Sequence, residues 1–315
     1  MSTKKETLRK DLEEEKVEPE ITELYGGKVI IKFHPKSHQY WVSVKGGKFS
    51  RKTGVTTFIG IKDKSRPLQS WQAGITADYL LGKIARREKI DVDAVLEAVV
   101  QHELRKDEAA DIGKEIHDFC EKYIRHKLGQ QGFDEIPDMP NFPEAITGVN
   151  SFFAWEKEHK VKYVATEKPV YSMKHDFIGT EDLVAVIDGK YCDSDFKSSN
   201  GLYNGVRMQT AAYAKARMED GGKKSEGRWA IRFSKYSEAE YMKREERKKE
   251  IKAAIARIQG RPASNYPIKP YQVFEAKFLD NESHHLDRDF DAFLNAKALF
   301  EWDKLTDAYT VGDNW

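Results

Sequence analysis

Asp182, Asp195 and Lys197 stand in the stretch GTEDLVAVIDGKYCDSDFKSS, residues 179–199, which otherwise reads as a buried β-hairpin. Its outgoing arm is the apolar run Leu183 to Ile187, Asp188-Gly189 is a two-residue turn signal, and Tyr191 to Lys197 returns. With the turn there, cross-strand partners have numbers that sum to 377. Asp182 then lies opposite Asp195, at a Cβ separation of about 5 Å, and Lys197 shares the face of Asp195. Two opposed carboxylates repel, which a sheet avoids without a reason. A divalent cation between them is a sufficient reason. Hard oxygen donors suit Mg²⁺ or Mn²⁺, and the lysine can contact an anionic substrate or the attacking hydroxide. The same stretch also suits a solvated hairpin whose acids and lysine form surface ion pairs. Asp193, nearer the turn and opposite Val184, fits that second reading better than a site.

Two helices add polar groups at telling positions. In the segment from about Leu202 to Glu219, Gln209 and Tyr213 share a face with Leu202, Val206, Ala212 and Ala216. Gln209 is thus an amide inside an apolar stripe, and burying it requires hydrogen-bond partners. The segment IGKEIHDFCEKYI has a stripe of Ile112, Ile116, Phe119, Cys120 and Tyr123. His117 lies at its edge, beside Gly113, and Glu121 lies farther round towards solvent. From there the histidine is either packed or able to reach a cleft.

The elements that must position these residues follow from pattern. Residues 1–20 read as a charged, flexible arm. KVIIKFHPKSHQYWVSVKGGKFS reads as short strands with turns at Pro35 and Gly46-Gly47, and GVTTFIGI as a further β segment. The chain is mostly helical from Pro67 to about Gly129, and a proline-bearing loop leads to a helix at 143–159. A strand at Tyr163–Tyr171, the hairpin, the 202–219 helix and a strand at GRWAIRFSK come next. A charged helix with a narrow stripe of Ile251, Ile255 and Ile258 follows, then a strand at YQVFEAKFL and an amphipathic helix at LDRDFDAFLNAKALFEW. The order predicts an α/β sheet sandwiched by helices.

Composition narrows the class. With 39% hydrophobic and 33% charged residues and a net charge of +1, the chain reads as a polar globular protein whose basic surface must be local. Two cysteines, Cys120 and Cys192, cannot build a four-thiolate metal site. No apolar run approaches the roughly 20 residues of a membrane span, so no membrane partner is expected. The N-terminal residues lack the apolar core of a signal peptide and are too acidic for a usual transit peptide. The expected compartment is the cytoplasm.

Taken together, GKEIH (Gly113 to His117), GTED ending at Asp182, DFK (Asp195, Lys197) and QTAAY (Gln209 to Tyr213) resemble the PD-(D/E)XK nuclease superfamily in its RecB-like branch. The likeness covers about residues 105–236. Upstream, GVTT and LQSW look similar to phage-type and mitochondrial-maintenance-type exonucleases of that branch. The resemblance implies a restriction-endonuclease-like core, a central mixed β-sheet flanked by helices, at 105–315, with an N-terminal β/helical part at 21–104 packed on it. It implies Mg²⁺ or Mn²⁺, one or two ions, held by His117, Asp182, Asp195 and the backbone carbonyl of Phe196. Lys197 would then position or activate the water, and Gln209 and Tyr213 would brace the active-site strand and approach the DNA backbone. Glu167 matches an acid often seen on the preceding strand, and reads equally well as a surface glutamate. Glu181 replaces the proline of the name-giving motif, and Ser198 stands where threonine is common. The four cysteines that hold an iron–sulfur cluster in several relatives are absent, so no cluster is expected.

The function this implies is a DNA exonuclease of recombination, repair or replication, plausibly phage-encoded, acting on ends that are single-stranded or partly so. An endonuclease with the same site, or a non-cutting DNA-binding module on a nuclease fold, are the alternatives. Inactive members usually lose an acid or the lysine, and this chain keeps both. The segment Lys243 to Arg261, with eight basic residues against three acids, is either a phosphate-contacting helix or a solvated one with interleaved ion pairs.

Overall fold

The computed structural model describes residues 18–62, 64–262, 267–282 and 285–309, so most of the charged arm at 1–20 lies outside it. Four short strands come first: β1 (Glu20–Leu24), β2 (Val29–His34), β3 (Gln39–Val44) and β4 (Ser50–Lys52). They form an antiparallel sheet in chain order, as the Pro35 and Gly46-Gly47 turns require. GVTTFIGI departs from expectation. It forms a helix, α1 (Val55–Ile59), rather than a strand. Its β-branched residues favour strands, but Val55, Phe58 and Ile59 fall at helical spacing and are buried beside Phe177 and Phe293. Burial in the core outweighs local propensity.

Two long helices follow, α2 (Ser65–Ala85) and α3 (Val92–Lys127), and α3 runs unbroken across the 104/105 boundary. Asp91 caps α3 by accepting from the Ala94 N–H, and Pro143 opens α4 (Pro143–Glu158), where a missing N–H costs nothing. The main sheet is β5 (Val161–Ser172), β6 (Phe177–Ile187), β7 (Lys190–Lys197), β8 (Gly227–Phe233) and β9 (Phe274–Asp280), in chain order. All its neighbours are antiparallel except β7 and β8, which are parallel and joined by the crossover helix α5 (Gly205–Glu219). The sheet is therefore mixed, and helices flank it, as the element order led one to expect for the flanking helices and the resemblance for the mixed sheet.

Each face has its own core. Leu183, Ala185, Phe196 and Ile231 pack with Ile116, Phe119, Phe152 and Trp155 of α3 and α4. Val170 and Phe177 pack with Met208 and Ala212 of α5 and with Phe290 and Phe293 of α7 (His285–Tyr309). A third cluster, Ile31 and Val42 against Tyr171 and Ile178, seats the small sheet on the β5–β6 hairpin. Helix α6 (Glu238–Ile258) starts with a capping box between Ser237 and Glu240. Of its expected stripe only Ile251 is buried; Ile255 and Ile258 are exposed, because α6 packs at the edge of the fold. Among the described residues no helix is long and apolar enough to cross a membrane.

Candidate metal centre

The hairpin turn forms as expected, with Asp188 at φ +50° and Gly189 at φ +86°. Pairing from Ile187–Lys190 to Leu183–Ser194 keeps the predicted register. The regular ladder stops there, one step short of Asp182 and Asp195. Asp182 Oδ2 instead accepts the backbone N–H of Phe196 at 2.7 Å. On the other side of β6, Thr166 pairs with Leu183 and Lys168 with Glu181, while the Glu167–Asp182 step between them is left out of the ladder. Glu167 there has φ +44°, a left-handed backbone that costs a non-glycine residue about 1–3 kcal/mol. Strand alternation also breaks at Asp182, since Glu181 turns to Arg217 of α5 while Leu183 joins the α3/α4 core.

This irregularity brings three donors together. His117 Nδ1 on α3 lies 3.9 Å from Asp182 Oδ2. One ligand atom each from His117, Glu167 and Asp182 lie within 4.8 Å of one another, the single such trio among the described residues. Two donors about 2.1 Å from a shared ion can be at most about 4 Å apart, so small side-chain rotations would bring this set to an octahedral Mg²⁺ or Mn²⁺. The carboxylates suit either ion, and the imidazole favours Mn²⁺ over the more oxygen-seeking Mg²⁺. Asp195, expected as a ligand, stands outside the trio. Lys197 Nζ lies 2.5 Å from its Oδ2, out of line for a regular hydrogen bond, and neither Asp195 oxygen has another hydrogen-bond partner. The Phe196 ring belongs to the α3/α4 core and meets the His117 ring at 6.4 Å between centroids.

The two motif glycines have a steric cause. A Cβ on Gly113 would lie 2.6 Å from Ser198 Oγ, so a larger residue there would have to turn that hydroxyl aside where α3 passes the end of β7. A Cβ on Gly179 would lie 2.5 Å from the Tyr213 ring. Gln209 and Tyr213 are both buried, and Gln209 Nε2 donates to the Tyr213 hydroxyl at 3.1 Å. Their places on α5 press the helix against β6 just ahead of Asp182.

Burial and neighbouring charge shift every ionisable group of the site. Burial, then the Asp182 charge, push the Glu167 carboxyl up to about 9. Burial pushes Asp195 up to about 6, against the pull of Lys197. Burial likewise raises Asp182, opposed by Lys197 and the Phe196 N–H. For Lys197 burial disfavours the charge, but Asp195 and Asp182 outweigh it and hold the ammonium above its ordinary pKa. Burial and then the Lys197 charge lower His117, which favours the neutral, metal-ligating imidazole.

A cleft of about 950 Å³ opens over the trio, and Gln209 and Tyr213 share its lining. Its far wall comes from the N-terminal sheet, through Phe33, His38, Tyr40 and Arg51.

Asp193 departs from the expected solvated position. It is fully buried, not solvated, and Arg217 Nε and Nη2 donate to its two oxygens at 2.7 and 3.0 Å. Glu181, also fully buried, sits 3.9 Å from Arg217 Nε with no hydrogen bond of its own. A signal for this cluster was in the sequence: Arg217 continues the buried face of Gln209 and Tyr213, and a buried guanidinium requires a carboxylate. The cleft wall from the N-terminal sheet had no sequence signal. On α6, Lys248 pairs with Glu245, and Arg247 pairs with Glu250 and with Asp78 of α2. Those pairs follow the solvated reading of that helix.

Compared with known proteins, the chain matches no protein-family model and no curated protein.

Proposed function

We propose that the protein is a metal-dependent DNA nuclease, an exonuclease acting at strand ends, on a restriction-endonuclease-like core. One observation carries this reading: His117, Glu167 and Asp182 gather within 4.8 Å beside the Lys197–Asp195 pair and line a cleft of about 950 Å³. The mixed five-stranded sheet flanked by helices supports it.

His117, Glu167 and Asp182 are the residues to hold Mg²⁺ or Mn²⁺, with Asp195 alongside. When bound, the ion supplies Lewis-acid polarisation of the phosphate and a lowered pKa for water. Lys197 stays protonated, so it acts as a cation for the developing phosphate charge rather than as a general base. The Phe196 N–H fixes Asp182 Oδ2, the oxygen facing His117, and so orients the carboxylate for the ion. Gln209 and Tyr213 hold β6 in place through the contact at Gly179.

The test is digestion of end-labelled single- and double-stranded oligonucleotides with Mg²⁺, Mn²⁺ or EDTA. Metal-dependent shortening from the ends is expected. Internal cuts in a closed circle would favour an endonuclease, and binding without cleavage would favour a non-cutting module.

A further inference from the structure

The small N-terminal sheet does more than pack against β5 and β6. Its β2–β3 hairpin turns Phe33, His38 and Gln39 towards the same cleft that holds His117 and Asp182. The Phe33 ring stacks on Tyr40, with centroids 4.8 Å apart and planes at 29°, and meets His38 edge-on at 5.1 Å. Tyr40 is buried, and its hydroxyl shares a 2.8 Å hydrogen bond with Thr180, two residues before Asp182. The row of rings is thereby anchored to the strand that carries the candidate metal ligand.

Charge on this wall is divided. Lys52 and Arg125 line the cleft but are held by Asp176 and Glu121. Arg51 and Lys114 are exposed and have no carboxylate within ion-pair distance among the described residues. Aromatic faces interleaved with unpaired cations, along a groove leading to a hydrolytic site, make a stacking platform with phosphate contacts.

We propose that this sheet binds the unpaired bases of a single-stranded DNA end, Phe33 and His38 stacking on bases and Arg51 and Lys114 meeting phosphates. The proposal rests on the nuclease reading for the identity of the polymer. Two features favour a single strand over intact duplex. Bases inside a duplex are stacked on one another and offer no face to Phe33. A duplex also carries a charge every ~1.7 Å of axis, and Glu20 and Asp118 share this cleft and repel so dense an array.

The experiment measures binding of a fluorescent single-stranded oligonucleotide and a blunt duplex, with Ca²⁺ in place of the active ion. It also follows 2-aminopurine emission from the terminal base. Phe33→Leu keeps the packing on Tyr40 and removes the aromatic face. His38→Asn suits the left-handed backbone there, at φ +49°. Arg51→Gln removes one charge at the surface. Phe33→Leu should weaken single-strand binding about fivefold or more and restore 2-aminopurine emission, with duplex binding changed less than about twofold. His38→Asn should do the same to a smaller extent, and Arg51→Gln should flatten the salt dependence by about one ion. Should Phe33→Leu melt early, the two surface variants decide the matter. Single-strand affinity unchanged in both, or an equal loss on duplex, overturns the proposal. Wild-type protein that binds single strands in this way but never cuts them sinks the nuclease reading alone.

Discussion

Glu181 and Asp182 are chain neighbours, yet they belong to two acidic clusters with opposite designs. Glu181 and Asp193 sit sealed against Arg217, whose guanidinium grips Asp193 with two hydrogen bonds. Asp182 sits with Glu167 and His117 at the floor of a cleft, beside the Lys197–Asp195 pair. The first cluster carries its cation in the fold. In the second, one lysine faces three acids, and burial leaves Glu167 and Asp195 raised to about 9 and about 6. Count of acids does not separate the sealed cluster from the open one. What separates them is whether the compensating charge is built in and whether the cleft can admit one.

The sharpest way to break this comparison is activity. Asp182→Asn and Lys197→Ala should each lower cleavage by on the order of 10³-fold or more in protein that remains folded. A variant cutting at near wild-type rate would show that the open cluster is not the site. Stability is where the sealed cluster should dominate. Arg217→Met strands buried carboxylates and should cost about 3–5 kcal/mol in urea unfolding. Glu181→Gln should cost less than about 1 kcal/mol, since burial and then Asp193 raise that carboxyl well above its usual pKa and its oxygens make no hydrogen bond to lose. Equal losses from both would mean that Arg217 does not serve as the counter-charge.

Metal should act on the open cluster alone. At 100 times its dissociation constant, Mn²⁺ should stabilise wild type and Glu181→Gln by about 2.7 kcal/mol. Asp182→Asn should lose that response, and without metal it should be no less stable than wild type, one repelling carboxylate having gone. His117→Ala should raise the Mn²⁺ midpoint of cleavage about tenfold, on the order of 1.4 kcal/mol. An unchanged midpoint would make His117 a packing residue.

The smallest effect belongs to an exposed pair. Burial opposes ionisation of Asp176, but hydrogen bonds from Lys52 and Tyr171 outweigh it and hold the carboxyl below its usual range. A depressed folded pKa means that the contribution is present above about pH 4, the unfolded value, and is lost as pH falls through the folded one. Asp176→Asn should therefore be slightly less stable than wild type at pH 6 and equal to it near pH 2. With Asp176 more than half exposed, the difference at pH 6 should stay under about 1 kcal/mol. A larger gap would mean that the link between the small sheet and β5–β6 depends on this pair.

Local physics made much of this molecule legible in its sequence. Period-2 and period-3.6 apolar patterns give the helices and nearly all strands their places, and Asp188-Gly189 determines the hairpin register, because these signals act between near neighbours. His117, Asp182, Asp195, Lys197, Gln209 and Tyr213 could be named for the same reason, each breaking a pattern that its neighbours keep. Tertiary structure alone decided the rest. Helix α1 exists because Phe177 and Phe293 bury its apolar face, although its residue types favour a strand. Asp193 became a core residue because Arg217 arrives from a helix 24 positions on. Glu167 joined His117 and Asp182 because the ladder breaks at the Glu167–Asp182 step, a break that depends on two neighbouring strands and an adjacent helix at once. The partners that set a side chain's environment are far away in the chain, and only packing brings them near.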